Sequence, residues 1–125
     1  MESIKVREKA KIFIVDDCAD NIRLLGAELK SDYVISFAKT GSEALQKMEY
    51  DPDQDLVLLD IMLPDMNGHE ICKILKKKAE TKHVPIIFIT AMDHEDDEAN
   101  GLALGAVDYI TKPFHLPIVK ARVRT

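Results

Sequence analysis

The chain contains a short apolar run that ends in two acids, Ile12-Phe13-Ile14-Val15-Asp16-Asp17. Consecutive apolar residues, many of them β-branched, are typical of a strand that is buried on both faces of a parallel sheet. Two further apolar runs of this length follow, Leu56-Val57-Leu58-Leu59 and Ile86-Ile87-Phe88-Ile89. The three runs predict the central strands of such a sheet.

Weaker strand signals and helical patterns occupy the rest of the chain. The runs 33–37 and 107–110 are interrupted by polar residues, which favours edge strands. Between the strands, apolar residues recur at helical spacing. They predict five helices: one with Asp20 as its N-cap, one opened by a capping box of Thr40 and Glu43, one with Ile71 and Leu75 on its inner face, one over residues 93–105, and one from about His115.

Strands and helices therefore alternate along the chain, which implies a parallel sheet with helices on both faces and right-handed crossovers. A five-stranded chain of this size fits the strand order 2-1-3-4-5, in which the three most apolar runs are central. We expect an α/β, doubly wound, five-stranded parallel sheet with five helices. The last helix stops without a capping glycine, so we expect it to be truncated and the chain to be part of a longer polypeptide, with a short docked helix as the alternative.

Length and composition limit the possible classes of function. The chain has 125 residues, a formal net charge of −5 and two cysteines, Cys18 and Cys72, that form no CxxC motif. One domain of this length buries a core without metal or disulfides. The acidic balance argues against a general binder of nucleic acid or anionic membranes. The unpaired cysteines and the missing secretory signal predict a cytoplasmic protein.

Polar side chains follow the predicted strands at one edge of the sheet. Asp16 and Asp17 follow the first strand, Asp60 the third, Thr90 the fourth and Lys112 the fifth. Each of them taken singly would more often be a helix cap or a solvated residue. Open α/β sheets bind ligands at the carboxyl ends of their strands, so the convergence of these residues indicates a functional site.

The chemistry of these side chains favours a cation and phosphoryl transfer. Crowded carboxylates raise their own pKa values or recruit a cation, and oxygen ligands without His or Cys select a hard ion such as Mg²⁺. With an ammonium and a hydroxyl nearby, one carboxylate could serve as the nucleophile. No glycine-rich phosphate loop follows the first strand, which argues against nucleotide-binding folds.

From about Lys11 to its end, the chain resembles the receiver domain of two-component response regulators. The motifs that carry the resemblance are residues 12–17, 58–68, 85–91 and 105–114. The resemblance implies a flavodoxin-like receiver fold over residues 11–125, preceded by a lead segment over residues 1–10.

The resemblance also implies that Asp60 accepts a phosphoryl group from a phosphohistidine of a sensor histidine kinase. It implies that Mg²⁺ is held by Asp16, Asp17, Asp60 and the backbone carbonyl of Met62, with Asp17 bound directly and Asp16 largely through water. Thr90 and Lys112 would contact the phosphoryl group, and Tyr109 would move inward together with Thr90. The peptide bond between Lys112 and Pro113 would be cis.

The function implied is a phosphoacceptor switch rather than an enzyme of metabolic turnover. It would catalyse its own phosphorylation and control an output domain or a partner protein, or form a dimer, through the surface of the fourth helix, fifth strand and fifth helix. We expect no direct binding of nucleic acid or membrane. Residues two after Asp60 and two after Thr90 are Met62 and Met92, whose thioethers are weak acceptors, so we expect slow dephosphorylation.

Two alternatives come from other classes of protein. A phosphohydrolase with an Asp nucleophile would need a positioned general acid, and neither Met62 nor Met92 can serve as one. A flavodoxin-like cofactor binder would need a hydroxyl- and glycine-rich phosphate loop after the first strand, where Asp16 and Asp17 would repel the phosphate. Turnover of a generic phosphomonoester, or flavin colour, would identify these alternatives.

Overall fold

The computed structural model describes residues 9–90, 108–112 and 116–124, and only the backbone of Thr90, Tyr109 and Thr111. The elements within these ranges are β1 (Ala10–Val15), α1 (Ala19–Leu29), β2 (Tyr33–Ala38), α2 (Gly41–Tyr50), β3 (Leu56–Asp60), α3 (Gly68–Lys77), β4 (Ile86–Thr90), β5 (Asp108–Thr111) and the C-terminal helix (Leu116–Arg124). The helix predicted over residues 93–105 lies outside the described residues.

All strand pairs are parallel, and the sheet has the order β2-β1-β3-β4-β5. The three apolar runs form the central strands and the two interrupted runs form the edges, as predicted. The register pairs Val15 with Leu59 and Asp60 with Ile89. The carboxyl ends of β1, β3 and β4 therefore lie along one edge of the sheet.

Helices pack on both faces of the sheet, which confirms the doubly wound prediction. Alternate residues of each central strand point to opposite faces, because the side chains of a strand alternate with a period of two. One face packs against α2 and α3 through Phe13, Val15, Ala44, Met48, Val57, Leu59, Ile71, Cys72, Leu75, Ile86 and Phe88. The other packs against α1 and the C-terminal helix through Ile12, Ile14, Ile22, Leu25, Leu29, Leu56, Leu58, Ile87, Ile89, Ile110 and Val119.

The predicted helix starts were right for α2 and wrong for α1. Thr40 is the N-cap of α2, and its side chain accepts a hydrogen bond from the Glu43 N–H at 3.0 Å. The N-cap of α1 is Cys18 rather than Asp20, which lies in the first turn and pairs with Arg23 at 2.6 Å. The chain enters α1 directly from the acidic pair, so the helix has already begun when the chain reaches Asp20.

None of the helices in the described ranges has both the length and the apolar character needed to cross a membrane.

Candidate functional site

Three carboxylates meet where β1 and β3 end. Asp16 and Asp17 follow β1, and Asp60 is the last residue of β3. One carboxylate oxygen from each residue lies within 4.8 Å of the others. Asp16 is fully buried and Asp60 is 2% exposed, whereas Asp17 is open to solvent. The parallel strands thus produce the convergence that their order along the chain predicts.

Lys112, which follows β5, supplies the positive charge of the site. Its Nζ lies 2.9 Å from Asp60 Oδ2 and 3.2 Å from Asp16 Oδ2. Burial raises the pKa of Asp60, and the hydrogen bond and charge of Lys112 oppose that shift only in part. Burial also tends to lower the pKa of Lys112, but Asp60 and Asp16 outweigh burial and raise it overall. The ammonium therefore stays protonated at neutral pH.

Local hydrogen bonds fix the Asp16 carboxylate. Its Oδ1 accepts the backbone N–H of Cys18 at 2.9 Å, and its Oδ2 accepts from Asn21 Nδ2 at 3.3 Å. Asn21 is not among the site residues that the sequence pattern predicts. Asn21 lies in the first turn of α1, five residues after Asp16, and this position brings its side chain back to the site. That position is the feature of the sequence from which its role could have been predicted.

The β3–α3 loop, residues 61–67, holds Asp60 from the other side. The backbone N–H of Met62 donates to Asp60 Oδ1 at 3.1 Å. Gly68 lies directly under this loop, and a Cβ at Gly68 would overlap the Asp60 carbonyl oxygen and Ile61 Cα. Only glycine therefore permits the close approach of α3 to the end of β3.

The remaining predicted residues are described only in part. Thr90 is the last residue of β4 and pairs with Thr111, and Tyr109 pairs with Phe88. For Thr90 and Tyr109 the structure describes the backbone alone. Pro113, with the predicted cis bond that precedes it, lies outside the described residues, as does Met92.

The charge and donor atoms of the cluster suit a divalent cation. Asp16, Asp17 and Asp60 carry three negative charges against one positive charge on Lys112. One divalent ion would balance the remainder. Carboxylate oxygens are ligands for hard cations such as Mg²⁺, so the residues present fit such an ion.

Comparison with known proteins agrees with this arrangement. The family model for the response regulator receiver domain matches residues 12–124. A probable cyclic di-GMP phosphodiesterase of Vibrio cholerae serotype O1 is 42% identical over 123 residues, which are 98% of this chain and 28% of that protein. Response regulator PleD of Caulobacter vibrioides is 42% identical over 117 residues, which are 93% of this chain and 26% of that protein. The chain thus spans between a quarter and a third of these two relatives.

A solved structure, the chemotaxis protein CheY4 of Vibrio cholerae, superposes with a TM-score of 0.87 at 26% identity, covering 93% of this chain and 97% of that one. The family model covers almost the whole described fold, including the acids after β1, the acid that ends β3 and the lysine after β5. The chain belongs to the response regulator receiver domain family.

Proposed function

We propose that this chain is a Mg²⁺-dependent phosphoacceptor, in which Asp60 accepts a phosphoryl group from a phosphohistidine of a sensor histidine kinase. The observation that carries the proposal is the position of the Asp60 carboxylate, buried between the Lys112 ammonium at 2.9 Å and two further carboxylates. A buried carboxylate held in this way is oriented for attack, while the ammonium can neutralise charge on an incoming phosphoryl group.

In the proposed step, an Asp60 oxygen forms a bond to phosphorus and the N–P bond of the phosphohistidine breaks. The electron pair of that bond returns to the imidazole nitrogen, and an acyl phosphate forms on Asp60. Lys112 keeps its proton throughout and pairs with the phosphoryl oxygens. The high pKa that Asp60 and Asp16 give to Lys112 supports this role.

Asp17, Asp60 and the backbone carbonyl of Met62 would hold the ion directly, and Asp16 largely through water. Both Asp16 oxygens already accept hydrogen bonds from the protein, and Asp17 is exposed. This difference supports direct binding of the ion by Asp17 and binding largely through water by Asp16. The ion would neutralise charge on the phosphoryl oxygens.

Thr90 and Tyr109 would convert phosphorylation into a change of surface. We assign Thr90 to a hydrogen bond with the phosphoryl group and Tyr109 to an inward movement, with a cis bond between Lys112 and Pro113 shaping the adjacent turn. The surface affected would be β5, the C-terminal helix and the segment before β5. It would control an output domain or a partner protein, or form a dimer.

We also propose that residues 11–125 are the receiver unit of a longer response regulator, after a lead segment over residues 1–10. The fraction of the curated relatives that this chain spans supports that proposal. We further propose that the longer protein is cytoplasmic, that its phosphodonor is a sensor histidine kinase, and that its output activity resides outside residues 11–125.

The test is phosphorylation by a small-molecule phosphodonor with Mg²⁺, followed by borohydride trapping and mass spectrometry of the modified residue. We expect a single trapped site at Asp60, lost in Asp60→Asn and kept in Asp53→Asn, a matched change of an exposed loop acid. Label that survives in Asp60→Asn would refute the assignment. Sustained turnover of a generic phosphomonoester would favour a phosphohydrolase instead.

A further inference from the structure

The β3–α3 loop carries the Met62 carbonyl that we assign to the cation. Met62 is 70% exposed, so its side chain buries little apolar surface that could hold the loop in place. The position of the carbonyl must therefore depend on contacts made elsewhere in the loop.

Main-chain contacts close the base of the loop. Gly68 donates its N–H to the Ile61 carbonyl at 2.8 Å, and Met62 pairs with Asn67 as an antiparallel bridge. Asn67 is also the N-cap of α3. These contacts tie the base to α3 but do not involve the tip, residues 63–66.

The tip is attached to the N-terminus of α2. The Asp65 carboxylate accepts the backbone N–H of Gly41 at 2.8 Å and of Ser42 at 2.9 Å. N–H groups in the first turn of a helix lack an intrahelical partner, and the positive end of the helix dipole favours a carboxylate there. The two hydrogen bonds lower the pKa of Asp65, which is therefore charged at neutral pH.

Met66 joins the same attachment through shape. Its side chain packs against the core on the α2 and α3 face of the sheet. A Cβ at Gly41 would overlap Cγ and Sδ of Met66, so the glycine leaves the space that Met66 occupies. Two adjacent tip residues thus dock on the first turn of α2, and the Asp65 contact spans 24 residues of sequence.

We propose, building on the function proposed above, that Asp65 is a positioning residue for the site at Asp60. By joining the tip of the loop to α2, Asp65 fixes the Met62 carbonyl for the cation and the Met62 N–H for the Asp60 carboxylate. Asp65 touches none of the reacting atoms and acts only through the loop. Because binding free energies are reciprocal, cation binding at the site also stabilises the contact between the loop and α2.

The test compares Asp65→Ala with Thr40→Ala by calorimetric titration of Mg²⁺. Thr40 caps the same helix, since its Oγ1 accepts from the Glu43 N–H, but it does not belong to the loop. Both variants lose hydrogen bonds to first-turn N–H groups of α2, two in Asp65→Ala and one in Thr40→Ala, so both should melt at a lower temperature. Only Asp65→Ala should bind Mg²⁺ more weakly, by roughly fivefold, and be phosphorylated more slowly at subsaturating Mg²⁺.

Asp65→Asn provides the same comparison if the alanine variant does not fold. Its amide NH₂ would face one of the two N–H groups, so we expect weaker Mg²⁺ binding there as well. The effect should persist at high KCl concentration, because a lost contact is not screened as a distant charge is.

Three results would overturn the positioning role while leaving the phosphoacceptor function intact. They are wild-type Mg²⁺ affinity in both Asp65 variants, an equal weakening in Thr40→Ala, and a weakening that vanishes at high KCl. If the wild-type chain itself bound no Mg²⁺ and accepted no phosphoryl group, the proposed function would fail and the positioning role with it.

Discussion

The Lys112 ammonium lies 2.9 Å from Oδ2 of Asp60, a residue 52 positions earlier in the sequence. The two residues stand at the ends of β5 and β3, which are separated in the sheet by β4. The contact between Lys112 and Asp60 therefore lies just beyond the carboxyl end of β4. The phosphoryl site that we propose lies at this position.

Removal of the Lys112 charge should destabilise the metal-free protein. Lys112→Met removes the ammonium that pairs with the buried Asp16 and Asp60, and we expect a loss of roughly 2–4 kcal/mol in the free energy of unfolding. Urea unfolding without Mg²⁺ measures the loss, and added Mg²⁺ should restore part of it. Lys11→Met, which breaks a more exposed pair with Asp51, is the control, with a loss within about 1 kcal/mol. Equal losses in the two variants would contradict the prediction.

Asp17 should matter more than Asp16 for binding of Mg²⁺. The Asp16 oxygens are engaged by Cys18 and Asn21, whereas Asp17 is exposed and free to bind the ion directly. Titration of Mg²⁺ should therefore show a larger loss of affinity in Asp17→Asn than in Asp16→Asn. The reverse order would mean that the buried carboxylate is the main ligand.

Alanine should have opposite effects at two glycines. In Gly68→Ala the new Cβ meets the Asp60 carbonyl and Ile61 Cα, and we expect a destabilisation of about 1–3 kcal/mol and weaker Mg²⁺ binding. In Gly26→Ala the Cβ meets nothing within 4 Å inside α1, so we expect a gain of roughly 0.5–1 kcal/mol. Denaturant unfolding of both variants measures the contrast. A neutral Gly68→Ala would show that the loop can move away from α3.

The contribution of Asp65 to stability should depend on pH. Its two backbone hydrogen bonds lower its pKa in the folded protein below the unfolded value of about 3.9. A lowered carboxyl pKa adds stability above the unfolded pKa, and that stability is lost as pH falls through the folded pKa. The difference in unfolding free energy between wild type and Asp65→Asn should thus be larger at about pH 6 than at about pH 2.5. Thr40→Ala removes no titratable group and serves as the control, and the same pH trend in that variant would argue against Asp65 as the cause.

The phosphorylated form should lose its phosphoryl group slowly. The two positions that we expect to flank the mouth of the site are Met62 and Met92, and a thioether is a poor acceptor for orienting the attacking water. Met62→Asn combined with Met92→Glu should shorten the lifetime after removal of the donor, at fixed Mg²⁺. Because Met62 is exposed, the two single variants should also be measured, to show which of the two methionines affects the lifetime. An unchanged or longer lifetime in the double variant would show that the two methionines do not slow dephosphorylation.

Much of the site could be predicted because it follows from strand order. Asp16, Asp17, Asp60 and Lys112 each stand next to the end of a strand, and parallel strands bring their carboxyl ends to one edge. The start of α1 could not be read in the same way. Asp20 is the better capping residue by type, yet the chain leaves β1 so directly that Cys18 occupies the N-cap.

The sequence by itself determined the alternation of strands and helices, the central and edge strands, and the polar edge of the sheet. These features depend on local periodicity and on residue type next to a strand end, both of which are visible in one dimension. Only the tertiary structure decided that Asp65 holds α2, that Gly68 must lack a side chain, and that Lys112 contacts both Asp16 and Asp60. The contacts of Asp65 and Lys112 join residues far apart in sequence, and all of these distances follow from how the loops and helices pack rather than from any local pattern.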